Sequence, residues 1–239
     1  SNAGQLYWFA ALVNGTLADV DQNMGANGIL TADIVVNETV LDADRNLISD
    51  PSSLRKWAPI SGDSYYTGTF DGQNHTISGL YFNDKTQEFI GLFGYAQGTI
   101  QNIHVADSYF NGKECVGGVC GFIYQGGTMT HCSFSGTVSG VDAVGGVVGQ
   151  SYRGAVSGCS NVGTVSCSGR NSVGGILGFV WHGTVSDSYY LEGCNGAGTE
   201  FSSTQGTSMT AEEFRNGDVC TALGYHAYYT ADGFCGYCD

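Results

Sequence analysis

The chain has 239 residues, of which 38 are glycine and 2 are proline, and 42% are hydrophobic. Collagen contains far more proline and disordered chains contain far fewer hydrophobic residues, so the composition excludes both classes and places the glycines inside folded structure. With 22 Asp and Glu against 8 Lys and Arg, the formal net charge of −14 repels phosphate groups, and we expect no nucleic-acid partner.

The N-terminal residues predict a short helix. The first three, Ser-Asn-Ala, are typical of an expression-tag remnant, so residues 1–3 are assigned to a tag that tells nothing about export. In residues 4–27, Leu6, Phe9, Ala10 and Val13 have the spacing of an amphipathic helix. We expect this helix and the loop after it to cover the open end of a β structure. No run of about 18 apolar residues occurs, so no membrane insertion is predicted.

Residues 28–88 contain short runs rich in β-branched and aromatic residues, which predict strands in irregular opening coils. These runs are residues 28–36, 57–60, 66–70 and 75–82.

Residues 89–193 contain four copies of a glycine block. Each block ends in Gly-x-x-Gly, and the final glycines at positions 94, 121, 149 and 178 are 27, 28 and 29 residues apart. A unit this short cannot bury its own apolar face, so the copies must stack. Paired glycines and short β-branched runs exclude helical repeats. We therefore predict an all-β fold, a parallel β-solenoid with coils about 4.8 Å apart and short helical caps at both ends.

Glycine has two predicted uses in such a solenoid. It serves corners that require a positive φ, and it serves places where one backbone segment passes close to another. The positions concerned are the paired glycines of the last three blocks, at 117/118, 145/146 and 174/175, and the corner glycines at 98, 127, 154 and 183.

Residues 194–239 form a cysteine-rich C-terminal segment. The sequence Thr210-Ala-Glu-Glu213 is a capping box, which predicts a helix to about residue 223 that covers the second end of the solenoid.

The repeats resemble the GLUG family of bacterial secreted and cell-surface proteins, many of them described as adhesins and some attached to IgA-specific metallopeptidases. The similarity depends on the four Gly-x-x-Gly blocks, on residues 99–103, 156–165 and 184–189, and on the lead-in at residues 57–60 and 68–80. It covers about residues 5–190, and residues 210–219 are similar to segments that follow such repeats. The resemblance implies export, a right-handed β-helix and a role in contact. It brings no catalytic residues, and the peptidase motif His-Glu-x-x-His is absent from the sequence.

A column of aromatic residues is the main candidate site. Tyr124, Tyr152 and Trp181 each lie three residues after the final glycine of a block, next to Gln125, Arg153 and His182 respectively. Stacked coils would place these rings about 5 Å apart. One hypothesis is a platform for the sugar rings of an extended glycan. The alternative is that the rings stack on each other only to cover a corner.

Catalytic groups are not predicted. Hydrolases built on β-helices need two or three carboxylates on one face, about 5–10 Å apart. Asp107 aligns with glycines in the next two copies, and Glu114 and Asp142 fall in variable turns, so we expect no acidic ladder. No Gly-x-Ser-x-Gly elbow lies between a strand and a helix. His75 is interpreted as a structural, hydrogen-bonded residue.

Two segments have the alternating oxygen ligands that begin a calcium loop. They are Asp19, Asp21 and Asn23, and Asp42, Asp44 and Asn46. Neither completes the loop, because the second has Leu47 at the turn-glycine position and Ser53 at the position of the bidentate Glu. Solvated loops or Asx turns are the alternative, and no other cofactor is expected.

Seven of the nine cysteines fall into two groups, and the other two, Cys115 and Cys167, are predicted to lie in turns. Cys120, Cys132 and Cys159 align with aliphatic positions of other copies and are predicted to be buried free thiols. Cys194, Cys220, Cys235 and Cys238 cluster near the C-terminus, where disulfides joining this segment to the stack are one interpretation. A redox pair, or a zinc site that includes His226, is the alternative.

The sequence thus favours a secreted or surface-attached, non-catalytic binding module, part of a longer chain with further domains. Its partner would be a host or matrix glycan or protein. A carbohydrate-active enzyme and a purely structural stalk are the alternative functions.

Overall fold

The computed structural model describes residues 1–62, 64–169, 172–196, 199, 201 and 205–224, and the backbone of 228–229 and 235–236. The chain coils into stacked parallel strands, with helices near both ends. The elements are α1 (Ala3–Asn14), β1 (Gly28–Ile29), β2 (Ile34–Val35), a 3-10 turn (Pro51–Ser53), β3 (Thr69–Ser78), β4 (Tyr81–Asn83), β5 (Phe93–Ala96), β6 (Thr99–Asn111), β7 (Glu114–Gly117), β8 (Cys120–Tyr124), β9 (Thr128–Thr130), β10 (Ser133–Gly140), β11 (Asp142–Gly145), β12 (Val148–Tyr152), β13 (Ala155–Ser157), β14 (Ser160–Asn161), β15 (Thr164–Cys167), β16 (Val173–Gly174), β17 (Leu177–Trp181), β18 (Thr184–Ser186), β19 (Tyr189–Leu191), β20 (Thr207–Met209), α2 (Ala211–Arg215), α3 (Asp218–Ala222), β21 (Tyr228–Tyr229) and β22 (Cys235–Gly236).

Each regular coil contributes strands to three sheets. One sheet contains β5, β8, β12 and β17, a second contains β7, β11 and β16, and the third is a 13-stranded sheet built around β3, β6 and β10. Val148 of β12 pairs with Cys120 on one side and Leu177 on the other, so equivalent positions of successive repeats are neighbours. Apart from the β21–β22 pair, the strands named above pair in parallel. The predicted parallel β-solenoid is confirmed; its handedness and the domain boundaries stay predictions.

The main core is a continuous hydrophobic cluster inside the coils, which extends from Leu6 of α1 to Leu177 of β17, and two smaller clusters lie around Val40 and around Phe214. Phe93, Ile100, Val144 and most of its other members are fully buried. Cys120, Cys132 and Cys159 lie in this core as free thiols, as their repeat alignment predicts.

The paired glycines are required by close packing of backbone. A Cβ on Gly145 would lie 2.0 Å from the Val148 carbonyl oxygen and 2.6 Å from the Gly178 nitrogen, and a Cβ on Gly117 would lie 2.2 Å from the Cys120 oxygen. The predicted positive φ at the corner glycines is wrong, because none of the four has it. The left-handed corner before each block is instead occupied by side-chain-bearing residues, namely Phe89, Cys115, Ala143 and Ser172.

Helices cover both ends, as expected. In α1 the side chain of Asn2 accepts a hydrogen bond from the Gln5 N–H, and Leu6, Ala10 and Val13 are buried. The capping box forms at Thr210 and Glu213, but the single predicted helix is two, because Gly217 adopts a φ of 88° between α2 and α3. None of the described helices is long and apolar enough to cross a bilayer.

The predicted strand at residues 57–60 is wrong. Ile60 forms only an isolated bridge to Phe93. The backbone N–H of Trp57 donates a hydrogen bond to the Tyr81 carbonyl oxygen. Residues 57–60 are therefore anchored by single contacts and not by a ladder.

Candidate ligand-binding face

The sheet of β5, β8, β12 and β17 carries aromatic side chains on its outer surface. Strand residues alternate between the two faces of a sheet, so each coil offers two outward positions here. The inward positions, such as Ile123 and Ser151, are fully buried. We call the outward set the aromatic face. Its members are Tyr65, Phe89, Tyr95, Phe122, Tyr124, Tyr152, Phe179 and Trp181.

The three rings predicted from the sequence form one column of this face. Tyr152 pairs in register with Tyr124 and with Trp181. The Tyr124 and Tyr152 ring centroids are 5.5 Å apart and stacked at 25°, while Tyr152 and Trp181 are 5.3 Å apart and inclined at 65°. This matches the spacing expected from the coil height. Their use in binding stays a prediction.

The aromatic face is larger than the sequence analysis found. Tyr95 and Phe122 form a second column, with centroids 4.8 Å apart, and Tyr65 lies 4.5 Å from Tyr95. Phe89, at the left-handed corner, stacks on Phe122 at 6.0 Å. A signal for the second column was present, because the residue directly after each final glycine is Tyr95, Phe122, Gln150 and Phe179.

Part of this aromatic surface is open to solvent. Trp181 is 56% exposed, Tyr65 41% and Phe179 40%, and the rings between them are half-buried against one another. At the Tyr65 end, Tyr65, Phe89 and Tyr95 line a depression of about 340 Å³. A contiguous exposed aromatic surface is typical of an interaction site.

Polar groups border the rings on the corner that follows β12 and β17. The Arg153 guanidinium lies 5.2 Å above the Tyr152 ring, and the His182 ring stacks against Trp181 at 5.8 Å. Both residues adopt the left-handed conformation, with φ values of 53° and 56°. Gln125 is exposed on the preceding coil. The predicted companions of the aromatic column thus lie beside it and offer donors at its edge.

The phenol group of Tyr95 is neutral at physiological pH. Burial raises the pKa of the Tyr95 hydroxyl above its usual value, and the neighbouring Tyr65 hydroxyl adds to the shift. The Tyr95 side chain therefore presents an uncharged ring and a hydroxyl group.

Carboxylates form a short row on the adjacent sheet, so the predicted absence of an acidic ladder is wrong. Glu114 and Asp142 pair in register between β7 and β11, and Glu88 occupies the equivalent position of the preceding coil. The variable segments before the blocks form strands here, which the sequence analysis assigned to turns. Lys113 partly neutralises the row, because its Nζ lies 2.6 Å from Glu88 Oε1 and 3.4 Å from Glu114 Oε1.

Two histidines of the large sheet, His104 and His75, form hydrogen bonds to neighbouring side chains. Nδ1 of His104 lies 2.7 Å from Ser133 Oγ, and Nε2 lies 3.3 Å from Ser135 Oγ. Burial lowers the pKa of His104 to about 4, so the ring is neutral at physiological pH. His75 contacts the carboxylate of Asp33 at 3.1 Å. Each histidine is held by hydrogen bonds, in agreement with a structural role.

The two candidate calcium segments form turns. Asp42 Oδ1 accepts the backbone N–H groups of Asp44 and Asn46, which is an Asx turn, and Asn23 Oδ1 accepts the Gly25 N–H. Asp19 is exposed and left-handed, with a φ of 59°, and Asp21 is exposed. Within the described ranges, no group of three or more His, Cys, Asp or Glu side chains could hold a metal ion.

The structure corrects one of the disulfide candidates. Cys194 is a buried free thiol, and the Asn161 amide donates to its Sγ at 3.7 Å. Burial raises the pKa of Cys194 to about 12, so it is protonated and unreactive. Cys220 is disulfide-bonded. The side chains of Cys235 and Cys238, and His226 of the zinc alternative, lie outside the described residues.

The family model described as the GLUG motif matches residues 112–139, from the turn before β7 to the end of β10. The chain carries a GLUG repeat. This match confirms the family resemblance found in the sequence, and the structure shows that one GLUG repeat corresponds to one coil of the solenoid.

Two known proteins are similar to this GLUG-repeat chain. Halomucin from Haloquadratum walsbyi (strain DSM 16790 / HBSQ001) is 39% identical over 90 residues, which are 37% of this chain and 1% of halomucin. The chain thus spans about one hundredth of that relative. A crystal structure of a "putative immunoglobulin A1 protease" from Bacteroides ovatus matches 99% of this chain and 90% of its own, with a TM-score of 0.59 and 17% identity. This likeness shows a shared fold.

Proposed function

We propose that the chain is a non-catalytic, surface-exposed binding module, and that its aromatic face binds an extended glycan. The observation that carries the proposal is the in-register column of Tyr124, Tyr152 and Trp181, together with the second column beside it. The GLUG repeat and the likeness to part of halomucin support a location outside the cell.

Sugar rings suit this surface for two reasons. The flat apolar side of a pyranose packs on an aromatic ring, and its hydroxyl groups require donors and acceptors at the ring edge. Arg153, His182 and Gln125 supply such groups along one border of the face. The protein's net charge of −14 would oppose a polyanionic partner, so a neutral chain is favoured for this face.

The height of the coils sets the length of the ligand. Aromatic residues occur on five successive coils, from Tyr65 to Trp181, which are separated by four steps of about 4.8 Å, or about 19 Å in total. A glycan lying along the solenoid axis would place about one ring on each step. We therefore expect affinity to rise with glycan length and to level off at about four or five sugar units.

The test is a glycan array that also carries host-matrix proteins, probed with the wild type and with Trp181→Ala and Tyr152→Ala. Each substitution should weaken binding at least about tenfold, because aromatic contacts at the centre of an interface contribute most of its affinity. Trp8→Ala is the matched control, since Trp8 is an equally exposed tryptophan on α1, away from the face.

Two results would overturn the proposal. One is that Tyr152→Ala and Trp181→Ala leave binding to every glycan unchanged. The other is binding that requires a matrix protein and ignores glycans, which would assign the face to a protein partner. No binding to any arrayed ligand would favour a structural stalk.

Glycoside hydrolysis is the second candidate function, favoured by the Glu114–Asp142 pair next to the aromatic face. Stacked carboxylates about 5 Å apart suit a retaining mechanism. Lys113, which bridges two members of the row, weakens this interpretation. Release of reducing ends from a bound glycan by the wild type, lost in Glu114→Gln and in Asp142→Asn, would establish hydrolysis.

A further inference from the structure

A second concave surface lies on the large sheet, away from the aromatic face. Residues 44–47 form the tip of a hairpin, closed by the Leu41–Leu47 bridge, that folds over β10 and β15. Together they enclose a groove of about 500 Å³. We call it the Arg45 groove, and the lining residues that matter here are Arg45, Tyr109, Thr137, Ser139, Thr164 and Ser166.

Arg45 is a half-buried cation with no counter-ion among the residues that the structure describes. Its guanidinium donates to the Val162 carbonyl oxygen, and its own carbonyl accepts from Thr137 Oγ1 at 2.7 Å. None of the ion pairs among the described residues involves Arg45. Burial lowers the pKa of Arg45 below its ordinary value, which reflects the cost of removing this charge from water. In a protein with 22 acidic residues, an unpaired buried guanidinium is an unexpected feature.

The floor of the groove consists of hydroxyl groups in two short rows. Thr137 pairs with Thr164, and Ser139 pairs with Ser166, in register between β10 and β15. Within the described part of the chain, the hydroxyls of Ser139, Thr164 and Ser166 make no hydrogen bond to protein. They are free to donate to a ligand.

We propose that the Arg45 groove binds a small polar ligand bearing an oxyanion, either a carboxylate or a sulfate ester, which pairs with Arg45. The planar guanidinium donates two parallel hydrogen bonds to such a group, and hydroxyl groups bind the polar remainder. The groove is much larger than a free sulfate ion, so the oxyanion belongs to a larger molecule such as an acidic sugar. This inference does not depend on the proposed function of the aromatic face.

Asp44 is the acidic group that opposes the ligand. It lies on the rim of the groove beside Arg45 and is exposed. Its carboxylate would repel an incoming oxyanion through solvent, so it limits the affinity.

In the experiment, the full chain is titrated with glucuronate, with glucose and with glucose 6-sulfate. Calorimetry and the NMR signal of Arg45 Nε–H are used to detect binding. Glucuronate and glucose share a ring and differ in charge, and glucose 6-sulfate separates the carboxylate from the sulfate source. We expect at least one acidic sugar to bind and to shift the Arg45 signal, while glucose binds at least about tenfold more weakly.

The variants locate the site. Arg45→Gln should weaken binding of the acidic sugar at least about tenfold, and Asp44→Asn should strengthen it about 2- to 5-fold. Arg55→Gln, which removes an exposed arginine that does not line the groove, should leave it unchanged. Because Arg45 also contacts Val162, the double variant Ser139→Ala/Ser166→Ala keeps that contact and should still weaken binding.

The proposal fails if glucose and both acidic sugars bind equally, or if none of them binds. It also fails if a folded Arg45→Gln binds as the wild type does. If Arg45→Gln does not fold, unchanged binding by the double serine variant overturns the proposal.

Discussion

Single side chains determine how this protein responds to acid. His104 is half-buried between Ser133 and Ser135, and desolvation lowers its pKa to about 4. An unfolded chain has a histidine pKa of about 6.5. Between these two values the unfolded state binds the proton more readily than the folded state, so stability is lost as the pH falls from about 6.5 to 4.

We predict that acidification from pH 7 to pH 4 lowers the free energy of unfolding by about 2–3 kcal/mol through His104. The measurement is urea unfolding of the wild type and of His104→Gln across this range. The difference between the two should shrink or reverse as the pH falls. Parallel pH profiles for both proteins would exclude His104 as the origin of the acid sensitivity.

Asp71, a residue of the lead-in motif, has a structural role because it accepts hydrogen bonds from the next coil. Burial raises the pKa of this carboxyl, but hydrogen bonds from the Gln73 N–H and from the side chains of Asn102, Gln101 and Gln73 outweigh it and lower the pKa overall. One carboxylate thus joins β3 to β6. This Asp belongs to the family-like lead-in pattern, but its partners Gln101 and Asn102 come from the next coil and could not be identified from the order of residues in the sequence.

At the scale of the element, the glycine block is a packing device. The paired glycines let the backbone of one coil lie against the next, and positive φ occurs at other residues such as Cys115 and Ala143. The repeat period and Gly-x-x-Gly pattern were sufficient to predict the coil. They were not sufficient to assign each glycine its use, because φ depends on how the corners fold in three dimensions.

We predict that Gly145→Ala destabilises the protein by at least about 2 kcal/mol, because its Cβ would overlap the Val148 carbonyl. Gly62→Ala is the control, since the nearest atom to its Cβ would be 4.0 Å away, and it should change stability by less than about 0.5 kcal/mol. Denaturant unfolding measures both. Equal stabilities for the two variants would contradict the close-packing explanation.

The sequence was sufficient to predict only the part of the candidate site that lies within the regular repeats. Repeat alignment identified the column of Tyr124, Tyr152 and Trp181, because equivalent positions must stack. Repeat alignment did not identify Tyr65 and Phe89, because Tyr65 lies in the irregular coil and Phe89 lies at a corner. The Arg45 groove was also not identified, because it forms between an opening loop and strands about 90 residues later in the chain.

At the scale of the whole molecule, the hydrophobic core stabilises the folded state and the net charge destabilises it. One hydrophobic cluster connects the N-terminal helix to the last regular coil, whereas the net charge of −14 repels itself. Among the residues that the structure describes, salt bridges involve only Lys113 with Glu88 and Glu114, and His75 with Asp33. Few local pairs therefore offset the overall repulsion.

We predict that raising NaCl from about 10 mM to about 300 mM raises Tm by about 2–4 °C, because salt screens this repulsion. Thermal unfolding at constant pH is the measurement, and KCl should have the same effect. A Tm that stays constant or falls would contradict the prediction. A rise with about 1 mM CaCl₂ that matched NaCl does not reproduce would instead support the calcium hypothesis for Asp19 or Asp42.

The register of the coils has an evolutionary consequence. Each repeat brings its own two outward positions and its own share of the core, and it contacts only its neighbours. Duplicating or deleting one unit by unequal recombination would lengthen or shorten the aromatic face by a single step and leave the remaining coils unchanged. Under the proposed function, copy number would thus be a heritable control on ligand length, adjustable without any new side chain.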